Sequence, residues 1–209
     1  MYQKTVKRIA DIILSMVGII ILGWLFIIIA LIIKLTSKGP VFFKQRRIGR
    51  HKSEFYILKF RTMRIDAPKD VPTHLFKNPE QFITPIGRFL RASSLDEIPQ
   101  IFNILVGHMS IIGPRPALWN QYDLIAERDK YGANRIRPGL TGWAQINGRD
   151  EIEIPLKAKL DGEYAYKISF TFDVKIFFIT ILKVFKQKGV KEGVVKLSCN
   201  DEGFDYRRE

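Results

Sequence analysis

The sequence holds a single cysteine, Cys199, among 209 residues. That excludes an internal disulfide framework and any zinc site built on cysteines, and it suits a reducing compartment. Histidine is nearly as scarce: His51, His74 and His108 lie too far apart to form a His-x-x-x-His metal pair. Acidic residues are outnumbered, 21 against 34 lysines and arginines, for a net charge of +13. Such an excess points to a polyanionic partner: nucleic acid, an anionic membrane surface or a phosphorylated substrate. Repeats and low-complexity tracts are missing, as are a Walker A loop and a Rossmann glycine fingerprint. The length favours one domain of ordinary composition, with space for an appendage.

Charge is also missing locally. From Ile12 to Ile33 there are 22 consecutive residues without a charge and without a proline, so the mean hydropathy of −0.02 averages over two unlike regions. As a helix this run covers roughly 33 Å, enough to cross a hydrocarbon core of about 30 Å. A soluble core helix would show a polar face, and this run has none. A cleaved signal peptide fits poorly, because no small-x-small site follows before Lys34. Basic residues stand on both sides, with Lys4, Lys7 and Arg8 before the run and Lys34, Lys38, Lys44, Arg46, Arg47 and Arg50 after it. A simple span collects them on one side only. A re-entrant helix bending near Gly23-Trp24 satisfies both flanks; a straight span with a very short translocated N-terminus competes with it.

Beyond this segment the pattern is that of a compact α+β domain, mostly helical. Val41-Phe42-Phe43 and Phe55 to Phe60 read as β-prone stretches around a basic turn, Arg46 to Lys52, and residues 67–85 read as a proline-rich surface loop. Helices are expected over 86–92, 96–106, 118–131 and 172–185. The last keeps Asp173, Thr180 and Lys183 on a narrow polar stripe, which suits either a core-facing helix or an amphipathic one lying on a membrane surface.

The chemistry concentrates between Ser93 and Arg149. Asp96 and Glu97 are adjacent carboxylates at an expected helix start, where Ser94-x-x-Glu97 matches a capping box and Asp96 is an alternative N-cap with Pro99 third in the helix. They could instead converge on one cation, or divide the work of nucleophile and metal ligand. Gly113-Pro114-Arg115-Pro116 presents Arg115 with little backbone freedom, and its planar fork suits a phosphate or diphosphate. Arg137-Pro138-Gly139-Leu140-Thr141-Gly142-Trp143-Ala144-Gln145-Ile146-Asn147-Gly148-Arg149 would suit a loop around a polar ligand, with Trp143 as a core anchor.

These motifs, with Lys7-Arg8-x-x-Asp11, Gly39-Pro40-Val41-Phe42-Phe43 and Lys59-Phe60-Arg61-Thr62-Met63, occur in one order from about Tyr2 to Gly193. Taken together, the chain resembles the monotopic phosphoglycosyl transferases of bacteria, membrane enzymes that begin glycan assembly on a polyprenyl phosphate carrier. Larger polytopic relatives carry additional N-terminal spans, for which this length leaves no space. The resemblance implies an N-terminal membrane helix over 1–37, re-entrant, a catalytic domain over 38–193 with amphipathic interfacial helices, and a variable tail over 194–209. It implies that Asp96 attacks the sugar-bearing phosphate of a UDP-sugar, releases UMP and carries a covalent phosphosugar that polyprenyl phosphate resolves. Glu97 is associated with Mg2+ and acceptor activation, so that Asp96 and Glu97 are also the metal candidates. Lys59, Arg61, Arg91, Arg115, Arg137, Gln145 and Arg149 are the candidates for binding phosphate or substrate. The implied place is the bacterial inner membrane, with the catalytic domain on the cytoplasmic face and anionic lipid beside it; a homodimer is left open. One departure matters: the family commonly has Ser-Pro where Gly23-Trp24 stands, so the bend lacks its usual cause.

Two other function classes compete with this reading. A membrane-tethered nucleic-acid binder would explain the charge, but no helix-turn-helix, RNP or zinc pattern is present and the arginines sit among prolines and glycines. No nucleic-acid partner is therefore expected. An inactive scaffold conflicts with the intact Asp96-Glu97 pair and the Pro-Arg-Pro motif. The sugar itself is not legible.

Overall fold

The apolar run folds as part of one long helix, α1 (Lys7–Thr36), in the computed structural model of the chain, which describes residues 2–68, 79–148 and 152–186. Arg149, residues 69–78 of the proline-rich loop and the tail lie outside the described residues. α1 is long and apolar enough to cross a membrane, and only 11% of its apolar window is buried. No break occurs at Gly23-Trp24: both residues stay helical, as expected of a run without proline.

One stripe of α1 is buried, at Asp11, Ser15, Ile29 and Ile33, the i, i+4 spacing of a single helix face. At its start Arg8 donates to the carbonyls of Ile104 and Leu105 at 2.6 and 2.7 Å, satisfying the end of α3 (Gln100–Val106). Asp11 accepts from Ser110 Oγ and the Ile111 amide on β3 (Ser110–Ile112). At the far end Ile29 and Ile33 pack with Phe60 and Leu90. α1 therefore lies lengthwise against the rest of the protein, and Ile20, Trp24, Ile27 and Leu31 remain exposed on its outer face.

β1 (Phe42–Ile48) and β2 (Glu54–Phe60) form an antiparallel hairpin, in register from Phe42 opposite Phe60 to Ile48 opposite Glu54. Arg46 and Arg47, expected in the turn, belong to β1; the turn itself is Arg50–Lys52. α2 (Pro85–Ala92) starts where the Thr84 side chain accepts from the Gly87 amide. Gly87 is fixed by packing, since a Cβ there would meet the Thr62 carbonyl oxygen at 2.0 Å. Gly87→Ala should gain up to about 1 kcal/mol in helix propensity. The backbone clash should outweigh it, for a net loss of about 1–3 kcal/mol read as a lower urea midpoint.

α4 (Tyr122–Lys130) begins four residues later than its apolar pattern suggested, with Gln121 Oε1 accepting from the Leu118 amide ahead of it. β3 pairs in parallel with β4 (Gly139–Thr141), so the Arg115 motif and the glycine segment read as a ligand loop meet each other first. A Cβ at Gly142 would stand 2.0 Å from the Gly113 carbonyl oxygen. After the short α5 (Trp143–Ile146), α6 (Ile154–Lys167) and α7 (Phe170–Lys186) close a core around Ile112, Ile136, Ile146, Tyr164 and Ile176. The polar stripe of α7 faces inward: Asp173 accepts from Lys7, Tyr2 and Tyr164, Thr180 bonds Thr141, and Lys183 donates to the Ile146 carbonyl. Phe170, Phe178 and Leu182 are left exposed on the opposite face.

Candidate active site

Asp96 and Glu97 do not open a long helix. Ser94 takes a left-handed conformation, φ 58°, and offers no side-chain cap, so the anticipated capping box is not made. Leu95–Glu97 instead form a single 3-10 turn, with Pro99 as the N-cap of α3. The tight turn anchors itself by the two apolar neighbours of the dyad: Leu95 and Ile98 pack against the cluster of Ile29, Ile33, Phe60 and Leu90. The carboxylates are thereby held beside the C-terminal half of α1.

Three basic side chains surround them. Lys59, next to the end of β2, donates to Glu97 Oε1 at 2.6 Å and lies 3.9 Å from Asp96 Oδ2. Arg115 donates to the same Glu97 oxygen at 3.0 Å. Arg91, in the last turn of α2, donates from Nε to Thr62 Oγ1 at 2.8 Å and is near enough to act on the charge of Asp96. Arg115 is the most open of the salt-bridged group, its side chain 36% exposed against 19% for Glu97.

The two acids experience this setting differently. Burial pushes the Asp96 carboxyl above its ordinary value, against the attraction of Lys59; Glu97 adds to the rise, while Arg91 and Arg115 oppose it. Burial also opposes charge on Glu97, but Arg115 and Lys59 outweigh it and hold that carboxyl well below the usual range. The site thus contains one firmly ionised carboxylate, bridged by two cations, and a neighbour that is more basic than an ordinary aspartate. Environments that push adjacent acids apart assign them different tasks.

The Arg115 loop is anchored along its length. The Gly113 amide donates to Thr141, the Pro114 carbonyl accepts from Gly139, and Arg47 donates to the Pro116 carbonyl at 2.9 Å. The Arg115 carbonyl accepts from Arg128 Nη2 at 2.9 Å. Arg128 is itself locked by two hydrogen bonds to Asp161, at 2.6 and 2.9 Å, in an almost fully buried pair. Sequence reading missed Arg128, Asp161 and Thr62. A signal existed for Asp161: it precedes Gly162 inside a helix, and an interior helical glycine marks close packing. A Cβ at Gly162 would lie 2.2 Å from that of Tyr131.

Of the residues expected to bind phosphate or substrate, the structure brings Lys59, Arg91 and Arg115 to the dyad. Arg61 is buried and donates to the Ser37 and Lys38 carbonyls after α1. Gln145 spans its own turn by donating to the Leu140 carbonyl, while Arg137 donates to Gly107 and lines a separate cavity. Arg149 lies outside the described residues.

No cluster of three or more metal-ligating side chains occurs among the described residues. Two adjacent carboxylates nonetheless suit magnesium, which commonly takes one or two of them and completes its shell with water and substrate phosphate. Glu97 Oε1 is committed to Lys59 and Arg115, so the remaining donors are the other Glu97 oxygen and the Asp96 carboxylate.

The profile of a family described as "Bacterial sugar transferase" matches residues 2–187. The chain is 39% identical over 194 residues to the UDP-glucose:undecaprenyl-phosphate glucose-1-phosphate transferase of Escherichia coli (strain K12), a match covering 89% of this chain and 41% of that protein. It is 40% identical over 161 residues to the uncharacterized sugar transferase EpsL of Bacillus subtilis (strain 168), covering 77% and 78% respectively. With the exopolysaccharide production protein ExoY of Rhizobium meliloti (strain 1021) it shares 34% identity over 88% of this chain and 87% of that one. The chain thus spans about two fifths of the length of the Escherichia coli relative.

Proposed function

This chain belongs to the bacterial sugar transferases, and from that premise we propose that it moves a sugar 1-phosphate from a UDP-sugar to a membrane polyprenyl phosphate, with Asp96 as covalent nucleophile. The observation that carries the reading is the buried turn holding Asp96 and Glu97 among Lys59, Arg91 and Arg115, beside an exposed apolar helix. A soluble diphosphate and a lipid phosphate could both reach such a place.

In the proposed reaction Asp96 Oδ bonds to the sugar-bearing phosphorus, and the bond from that phosphorus to the UMP oxygen breaks. UMP leaves with the electron pair, and no proton need move. An oxygen of polyprenyl phosphate then bonds to the same phosphorus and displaces the Asp96 carboxylate, leaving a polyprenyl diphosphate sugar. Arg115 and Arg91 would draw the diphosphate against the repulsion of the two acids. Lys59 keeps Glu97 ionised and favours the charged form of Asp96. Asp96 and Glu97 would hold Mg2+, whose contribution is to neutralise phosphate charge during attack.

The membrane placing has its own support. Both ends of α1 contact the same domain, through Arg8 and Asp11 at one end and Ile33 at the other. A straight span would drag that domain into the hydrocarbon, whereas a helix that enters and leaves by one face would not. Basic flanks on both sides agree with the cytoplasmic face of the inner membrane. The outward apolar face of α7 would lie in the same interface.

Purified full chain in nanodiscs, given Mg2+, polyprenyl phosphate and a panel of UDP-sugars, should release UMP with one of them. No release across the panel would overturn the proposal. The pH profile offers a second check. Attack needs ionised Asp96, so kcat/KM should fall on the acid side as that group protonates. Lys59 opposes the upward push of burial, so Lys59→Met should move this acid limb to higher pH. An unmoved limb would mean that Asp96 does not set it.

A further inference from the structure

A second cationic place lies at the other end of α1. A cavity of about 190 Å3 opens between the start of that helix, the hairpin turn and α6, lined by Lys7, Arg8, Asp11, Arg50, Arg137 and Tyr164 among others. None of Lys59, Arg91, Asp96, Glu97 or Arg115 lines it. Arg8 precedes Ile29, where the dyad's neighbours pack, by a helical length of roughly 30 Å. Two phosphates could therefore be held without sharing a residue.

The charge in this cavity is not balanced. Lys7 is answered by Asp173 at 2.7 Å. Asp11 is the one acidic side chain on the wall, and it already accepts from Ser110 and Ile111. Arg8, Arg50 and Arg137 face it with no carboxylate partner among the described residues, which leaves an excess of two positive charges. All three are held in place through backbone carbonyls: Arg8 by Ile104 and Leu105, Arg50 Nε by Arg135, and Arg137 Nε by Gly107. Burial, followed by the charges of Arg50 and Arg8, lowers the Arg137 guanidinium from its ordinary value. The Asp11 carboxylate offsets part of that repulsion, and a bound anion would offset the rest. Fixed guanidinium forks around a cavity of this size suit phosphate oxygens, and the surplus matches a phosphate monoester dianion.

We propose that this cavity is an accessory phosphate site, distinct from the Asp96-Glu97 cluster. Its place, one turn before the apolar run begins at Ile12, is the depth at which lipid headgroups lie when α1 is in the bilayer. The same chemistry is offered by free phosphate. The site goes beyond the catalytic reading and shares with it only the placing of α1 in the membrane.

The test uses the full chain in phosphatidylcholine nanodiscs with and without phosphatidic acid, with bound lipid counted by native mass spectrometry. Wild type and Asp96→Asn should each retain a single phosphatidic acid. Retention should fall about tenfold in Arg50→Ala and in Arg137→Gln, the loss of one charge-assisted contact, and Arg50→Lys should keep most of it. Arg50 is exposed, so its removal does not threaten the fold. In a second arm, inorganic phosphate is titrated into the chain in detergent and the melting temperature followed. A rise that Arg50→Ala abolishes, at concentrations matching those of phosphatidic acid, assigns the site to soluble phosphate; lipid retention without such a rise assigns it to a headgroup. Binding that is absent in both arms, equal in wild type and both arginine variants, or lost only in Asp96→Asn, would overturn the site while leaving the transferase reading untouched.

Discussion

Asp96→Asn is expected to lower UMP release by about four to six orders of magnitude, the scale seen when a covalent nucleophile is removed. Asparagine keeps the shape of the side chain but cannot displace UMP. The fold should survive, because burial already disfavours the charged form of Asp96. A carboxyl whose folded-state value is raised loses stability as pH rises through the interval above its unfolded value, so a neutral amide removes a penalty there. Glu97→Gln should behave in the opposite way. Its lowered carboxyl contributes stability above the unfolded value that is lost only as pH falls, and the amide forfeits it. Lys59 and Arg115 would then face one another across a neutral group, at a cost of about 1–3 kcal/mol given that Arg115 is partly exposed. The pair of melting curves separates the two acids before any activity is measured. With a UDP-sugar and no acceptor, intact-mass measurement should show a sugar-phosphate increment on wild type and none on Asp96→Asn. An Asp96→Asn protein that releases UMP at the wild-type rate would rule out the covalent route.

The parts of the site that were legible in the sequence are those written in local chemistry. Adjacent acids, a proline-flanked arginine and a charge-free run can be recognised without coordinates, and Lys59, Arg91 and Arg115 do gather at the dyad. What escaped is what depends on non-local backbone contact. The glycines at 139 and 142 read as part of a loop around a polar ligand, yet their first use, together with Gly113, is to let β3 and β4 approach where any Cβ would collide. The helix pattern through 96–106 was real in its apolar spacing, but the left-handed Ser94 and Pro99 divide it into a tight turn and a shorter helix. For α7 the polar stripe was identified and its direction was not. Periodicity fixes which residues share a face, and only the partners Lys7, Tyr164 and Thr141 determine that this face points inward.

Arg128→Ala should be the most damaging substitution outside the dyad, costing about 3–5 kcal/mol by leaving the Asp161 carboxyl buried without its partner, where burial already pushes it above its ordinary value. The pair is also the base on which the Arg115 loop rests, since Arg128 Nη2 reaches the Arg115 carbonyl as well as Asp161. Stability and positioning can be separated. Replacing both residues, as Arg128→Leu with Asp161→Leu, exchanges a buried ion pair for apolar packing and should restore most of the lost stability. It does not restore the donor to the Arg115 carbonyl. Three anchors of the loop persist, from Gly113 to Thr141, from Gly139 to Pro114 and from Arg47 to Pro116, so the loop should shift rather than unfold. Arg115 would then meet the diphosphate with poorer aim, and kcat/KM for UMP release should fall about tenfold in a protein of near-native melting temperature. Because Arg115 touches the ionised Glu97 in the resting protein, the loss should fall on kcat more than on KM if the arginine acts on charge that develops during attack. A double variant that recovers stability and full kcat together would show that Arg128 supports the fold alone and that the Arg115 loop needs no anchor beyond the three that remain.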